Sequence, residues 1–234
     1  MPSPNGTKVG AICAVSGSIL LFVGTYLHPM DADPNDAVAA FTEYAADHLW
    51  IASHLTQLAG VTLIVVALLF LAQQLEAASG TAWARIAAAG AIASLALACV
   101  LQAVDGIALK RAVDAWAAAP ASQKDAAFHA AFAVRQVEIG LASMVCLAFG
   151  LTAVVYGRIL LFDRAYPKWL AALAFFGAGP TTVAGAVIAY TGFSTSAMAI
   201  NMPANLVLLV WMLAVGVSMW RRGKSSAQER AKFP

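Results

Sequence analysis

Six apolar runs, each about as long as a bilayer is thick, constrain this chain more than any other feature. They are Val9–Leu27, Leu49–Ala72, Ala84–Leu109, Ala131–Tyr156, Trp169–Tyr190 and Pro203–Trp220. A helix needs about 20 apolar residues to cross about 30 Å of hydrocarbon. No water satisfies backbone polar groups there, so a spanning segment must be a helix or part of a closed barrel. The runs are continuous rather than alternating, which selects helices. The expected fold is all-α: a polytopic six-transmembrane-helix bundle in one domain, residues 1–234, with tails at 1–7 and 222–234. The first run, at 19 residues, exceeds the about 7–15 apolar residues of a signal peptide and lacks an A-x-A site, so it reads as a retained span.

Composition agrees. Hydrophobic residues make up 61% of the chain and charged ones 11%, against about 25% charged in soluble domains. The lipid bilayer is therefore the first expected partner. Net charge is +2, and no basic tract interleaves with aromatics, so nucleic acid is excluded as a partner. Cys13, Cys99 and Cys146 all lie inside apolar runs. They lack disulfide or metal-ligand spacing and read as small hydrophobes.

Six spans put both termini on one side of the membrane. That side carries ten basic residues: Lys8, Arg85, Arg158, Arg164, Lys168, Arg221, Arg222, Lys224, Arg230 and Lys232. The other side carries four: Lys110, Arg111, Lys124 and Arg135. The positive-inside rule then makes both termini cytoplasmic. Nine of twelve acids fall on the opposite, extracytoplasmic side. Acids do not set topology, so that excess is separate information. Tyr26, Trp50 and Tyr190 fall near the outer boundary, and Trp83, Tyr156, Tyr166, Trp169 and Trp220 near the inner one, as interfacial aromatics do. Trp211 is mid-span and is expected to pack between helices.

Local patterns add detail. Gly10, Gly17 and Gly24 recur every seven residues, a small-residue face that a neighbouring backbone can approach. His28 continues that face, unless Pro29 turns the chain first. Asp31–Asp36 is a turn, and a short amphipathic helix is expected from Pro34 to Ala46, running into span 2. Ala77–Thr81, with Gly80, reads as a tight link between spans 2 and 3. Gly106–Ala119 stays helical but amphipathic, and Ser122–Asp125 resembles a capping box. Spans 3 and 4 should thus form a hairpin projecting beyond the extracytoplasmic surface. Pro180 predicts a kink in span 5, and span 6 is expected to begin after Asn201-Met202-Pro203.

Charges near hydrocarbon are costly and mark functional sites by default. The candidate ligand-binding set is His54 and Gln57 on span 2, Gln102 and Asp105 on span 3, and Arg135 and Glu138 on span 4. Asp47 and His54 are seven apart and share a face, as do Gln102 and Asp105, three apart. Arg135 and Glu138, also three apart, are placed to pair. Counting about 1.5 Å per residue, His54, Asp105 and Glu138 lie at similar depth on consecutive helices. Together they offer a metal one nitrogen and two carboxylates. His28, His48 and His129 lie nearer the water boundary and are weaker candidates.

The alternative reading of each residue is structural: a hydrogen-bonded buried network that sets helix register. A single metal ion or an outer-leaflet haem is the cofactor these residues are able to hold. No Walker, G-x-S-x-G or H-E-x-x-H motif occurs. The favoured function is binding of a small ligand or ion in a polar pocket open to the extracytoplasmic side. Two rivals stand beside it. One is a metal-, haem- or acid/base-dependent membrane enzyme acting on a lipophilic substrate. The other is an accessory subunit that docks on a membrane-protein partner.

Ser53-His54-Leu55, Asp105-Gly106 through Lys110 to Val113-Asp114-Ala115-Trp116, Val137-Glu138-Ile139-Gly140 and Gly192-Phe193 carry a resemblance. In these stretches and in its layout the chain resembles small uncharacterised six-span bacterial membrane proteins of the domain-of-unknown-function kind. The resemblance implies the fold and a bacterial membrane location, and no activity.

Overall fold

The structure is a computed structural model that describes residues 4–79 and 82–232, with side chains described over 5–76 and 82–224. The expected Ala77–Thr81 link lies partly outside the described residues, as do the side chains of Glu229, Arg230 and Lys232. The helices are α1 (Pro4–Tyr26), α2 (Ala37–Ala46), α3 (Trp50–Ser79), α4 (Ala82–Ala118), α5 (Lys124–Phe162), α6 (Lys168–Thr191) and α7 (Thr195–Lys232). No strand occurs among the described residues. All of these helices except α2 contain a stretch long and apolar enough to cross a membrane, so the chain is an all-α multi-pass membrane protein.

The main core lies along α3, α5, α6 and α7, with α1 and α4 closing it. Leu68, Leu71, Leu75, Tyr156, Leu160, Leu170, Trp211 and Met212 are fully buried there. The glycine face of α1 packs as expected. A Cβ on Gly17 would stand 2.8 Å from the Gly60 carbonyl oxygen, and one on Gly24 would stand 2.8 Å from the Ser53 carbonyl oxygen. The α1 and α3 backbones are therefore in direct contact, as small residues permit in lipid.

A second, aromatic core caps the histidine-bearing end. Phe41 and Tyr44 of α2 pack with Trp50 of α3, Leu109 and Val113 of α4, and Ala131 of α5. At about 1.5 Å per residue, α4 is roughly 55 Å long, well beyond the hydrocarbon thickness. Its last turns and the start of α5 form a helical hairpin, with α2 against its side.

Several local expectations are corrected. α1 already begins at Pro4, so residues 4–7 are its first turn rather than a loose tail. α2 starts at Ala37, not Pro34, because Asp36 is the N-cap and accepts from the Val38 and Ala39 N–H groups. α2 does not run into α3. Asp47 sits in the break and accepts from Leu49 N at 2.7 Å, so it lies before the face that carries His54. No capping box forms at Ser122: residues 121–123 make a 3₁₀ turn, and no side chain caps α5. Lys124 instead donates to the Trp116 and Ala117 carbonyls, closing the end of α4. α7 begins at Thr195, with Pro203 inside the helix.

Trp50, Tyr156 and Tyr166 are core residues, not interfacial anchors. Each donates its polar hydrogen inward, to Asp105 O, Leu68 O and Gln74 Oε1 respectively. Buried Trp and Tyr need such partners. Tyr26, Trp83, Trp169, Tyr190 and Trp220 are exposed, and Trp211 is fully buried.

Candidate functional site

The acids at the histidine-bearing end divide by their partners. Asp33, Asp36 and Asp47 accept from backbone N–H groups two or three positions onward in turns and caps. Glu43 reaches back from α2 to the Asp31 and Ala32 N–H groups and pins the α1–α2 loop. Asp114 pairs with Lys110 at 2.9 Å. Lys110 in turn donates to the Tyr44 and Ala45 carbonyls, which closes the last turn of α2. Once these structural roles are assigned, Asp105 and Glu138 are the acids left facing into the helix bundle.

Asp105 lies in a segment the sequence reading missed. Val104–Leu109 is a π-helical stretch inside α4. Such wide turns recur at functional sites, because the extra residue re-aims side chains. Here the widened turn is held by the Trp50 indole, whose Nε1 donates to Asp105 O at 3.1 Å. Gly106 follows, and a Cβ there would stand 2.6 Å from His54 Cβ. The Asp105-Gly106 pair thus has a mechanical meaning: the aspartate projects and the glycine admits the histidine. Expected outcome: Gly106→Ala pushes His54 away from Asp105 and costs about 1–3 kcal/mol as overpacking does, checked by thermal unfolding in detergent.

His54 is buried on the first turn of α3. Its Nδ1 lies 2.7 Å from Trp50 O. A carbonyl only accepts, so Nδ1 carries the hydrogen. Ser53 donates to the same carbonyl at 2.7 Å, and its Oγ lies 3.3 Å from His54 Nδ1; since Nδ1 carries the hydrogen, the ring is not a base toward that hydroxyl. The other ring nitrogen, Nε2, lies 3.1 Å from Asp105 Oδ2.

His28 also turns inward. It follows the end of α1, and its ring centroid lies 4.7 Å from that of Trp50 and 5.0 Å from that of His54. Its Nδ1 is 2.7 Å from Pro29 O, so it too donates to a backbone carbonyl. Burial, with His54 adding to it, holds the His28 ring below its usual range, and burial pushes the Tyr44 hydroxyl up to about 12. Both are neutral at pH 7.

The remaining expected residues form two linked pairs. Gln102 Nε2 donates to Gln57 Oε1 at 3.1 Å. Arg135 Nη1 donates to both carboxylate oxygens of Glu138, at 2.8 and 2.6 Å. That guanidinium stacks over the Tyr44 and Phe193 rings and donates from Nη2 to Pro34 O. It thereby joins α5 to the α1–α2 loop and to the α6–α7 turn. Asn35 adds a second tie, donating to Phe193 O at 2.9 Å. A cleft of about 460 Å³, lined by Pro34, Phe193, Met198 and Met202 among others, opens beside this latch.

Of the expected metal set, His54 and Asp105 are in contact, while the Glu138 carboxylate is taken by Arg135. His28 takes the third place beside His54 and Asp105. His48 and His129 are exposed, and His129 donates to Asp125 O in its own helix. Among the described residues, the buried side-chain atoms without a hydrogen-bond partner are Asp47 Oδ2, His54 Nε2, Gln102 Oε1, Asp105 Oδ1 and Trp211 Nε1. Three of these five, on His54, Gln102 and Asp105, belong to the expected site residues, so among the described residues unsatisfied polarity is concentrated here.

Fold and cluster together define a six-span helical membrane protein with a buried ionisable group set at one end. The chain belongs to the family described as Domain of unknown function (DUF4386), whose model matches residues 9–216. No curated protein and no solved structure matches it.

Proposed function

We propose that this membrane protein binds a small ligand or ion in the polar pocket formed by His54, Gln57, Gln102, Asp105, Arg135 and Glu138. The pocket opens to the extracytoplasmic side of a bacterial inner membrane, with both termini cytoplasmic. The orientation is supported by the split of basic residues, ten against four.

One observation carries the binding reading. Buried polar groups are normally paired, and each unpaired one costs about 1–3 kcal/mol. Here His54 Nε2, Asp105 Oδ1 and Gln102 Oε1 are buried without a hydrogen-bond partner, His54 Nε2 having only its 3.1 Å contact with Asp105 Oδ2. A purely structural network would satisfy its members. This one leaves a nitrogen and two oxygens without hydrogen bonds, as a site for a polar guest does.

The test is a thermal-shift panel on purified protein. It comprises alkali, alkaline-earth and first-row transition-metal cations, plus small organic acids, amines and alcohols. At least one member is expected to raise the unfolding temperature of wild type and not that of Asp105→Asn, since a ligand stabilises only the state it binds. A panel in which no member separates the two proteins overturns the reading.

A further inference from the structure

We infer that His28, His54 and Asp105 form a binding site for a divalent first-row transition-metal ion; this rests on the pocket reading above and names its ligand class. One ligand atom from each of the three lies within 4.8 Å of the other two. They come from three separate places: the turn after α1, the first turn of α3 and the π-helical turn of α4.

The chemistry of each donor fits a metal better than a proton. Both imidazoles give their Nδ1 hydrogen to a backbone carbonyl, Pro29 O for His28 and Trp50 O for His54. That arrangement is how metal-ligating histidines are oriented and their second nitrogen made the donor. The His54 Nε2 lone pair faces a carboxylate oxygen 3.1 Å away, and two lone pairs at that distance repel unless a cation lies between them. A shared proton would relieve that pair alone and give His28 no role. A metal uses all three donors. Ligand bonds of about 2.0–2.2 Å set tetrahedral neighbours roughly 3.3 Å apart, close to the His54–Asp105 separation.

The support is also in place. Trp50 packs against His54 with ring centroids 4.6 Å apart and holds the Asp105 backbone through Nε1. Two imidazoles and one carboxylate suit zinc, iron, cobalt or manganese, and disfavour alkali and alkaline-earth ions that demand more oxygens. Three protein ligands leave a further coordination position for water or an exogenous group.

The experiment is titration of chelator-treated, full-length protein with Zn²⁺ by calorimetry and with Co²⁺ by visible absorption. One ion per chain is expected, with cobalt bands of a low-coordinate nitrogen–oxygen site. His28→Ala and Asp105→Asn should each weaken Zn²⁺ binding by more than about tenfold, as loss of a ligand exceeds the 10–100-fold cost of losing its supporting partner. His129→Ala, at an exposed position, should leave binding unchanged. His28 lies in a loop and is half-buried, so its variant tests the site even where substitution of His54 prevents folding. No saturable Zn²⁺ or Co²⁺ binding overturns the inference, as does binding indifferent to His28→Ala and Asp105→Asn. If the metals fail while an organic compound from the panel stabilises wild type selectively, the metal assignment falls and the pocket reading stands. If both fail, both fall.

Discussion

Glu138→Gln is expected to destabilise the folded protein by about 3–5 kcal/mol, the cost of leaving one member of a buried ion pair alone. The Arg135 and Glu138 side chains are only 6% and 3% exposed, on one helix, with the guanidinium bound to both carboxylate oxygens. Glutamine keeps the shape and one acceptor but removes the charge. A guanidinium cannot shed its own, so Arg135 would stay charged in an apolar setting between Tyr44 and Phe193. Arg135→Met should cost less, because a stranded carboxylate can take up a proton. The double variant Arg135→Met/Glu138→Leu should recover most of the loss, since apolar replacement of a whole buried pair is often neutral or stabilising. Unfolding midpoints in mixed micelles compare the four proteins. If Glu138→Gln leaves the midpoint unchanged, the pair is in contact with water and the latch is not a buried one.

The same substitutions separate stability from binding. Arg135 holds the α1–α2 loop through Pro34 O, and that loop carries His28. A stable double variant with a loosened loop should bind Zn²⁺ more weakly than wild type while His54 and Asp105 remain in place. The latch would then be a positioning device rather than a ligand set.

Much of the fold was legible because hydrocarbon leaves few options. A run such as Trp169–Tyr190 has to be a helix in lipid, and α6 spans Lys168–Thr191. The glycine spacing in span 1 likewise had one physical use, and Gly17 and Gly24 meet α3 as that use requires. The helix ends were less legible, because caps depend on partners from elsewhere in the chain. Ser122–Asp125 looked like a local cap, but Lys124 was engaged by the end of α4. Nothing within four residues of Lys124 announces that.

The candidate site was legible as a location and not as a constellation. Equal depth put His54 and Asp105 side by side, and their side chains lie 3.1 Å apart. Depth could not place His28, since its position depends on how the chain turns at Pro29; the Arg135–Glu138 pair was legible instead from its three-residue spacing. The π-helical turn was the largest gap. An ideal 3.6-residue period carries no sign of it, and only the unusual Asp105-Gly106 pair, at the point where span 3 becomes amphipathic, offered a hint.

The sharpest link between fold and site is at Gly60, six positions along α3 from His54. A Cβ there would stand 2.5 Å from Leu21 N, 2.8 Å from Gly17 O and 2.9 Å from Leu21 Cα. All three neighbours are α1 backbone, so no side chain can swing aside and the helices themselves must part. Gly60→Ala is therefore expected to cost about 1–3 kcal/mol or more from overpacking. It should also weaken Zn²⁺ binding, although Gly60 is roughly 9 Å along the helix from His54, because His28 sits in the turn that follows α1 and α3 carries His54. Gly140→Ala is the matched control. A Cβ there meets nothing within 4 Å, so it gains up to about 1 kcal/mol of helix propensity and leaves binding untouched. Thermal unfolding and Zn²⁺ calorimetry on the two variants decide the matter. If they behave alike, backbone contact between α1 and α3 does not set the distance between the two histidines.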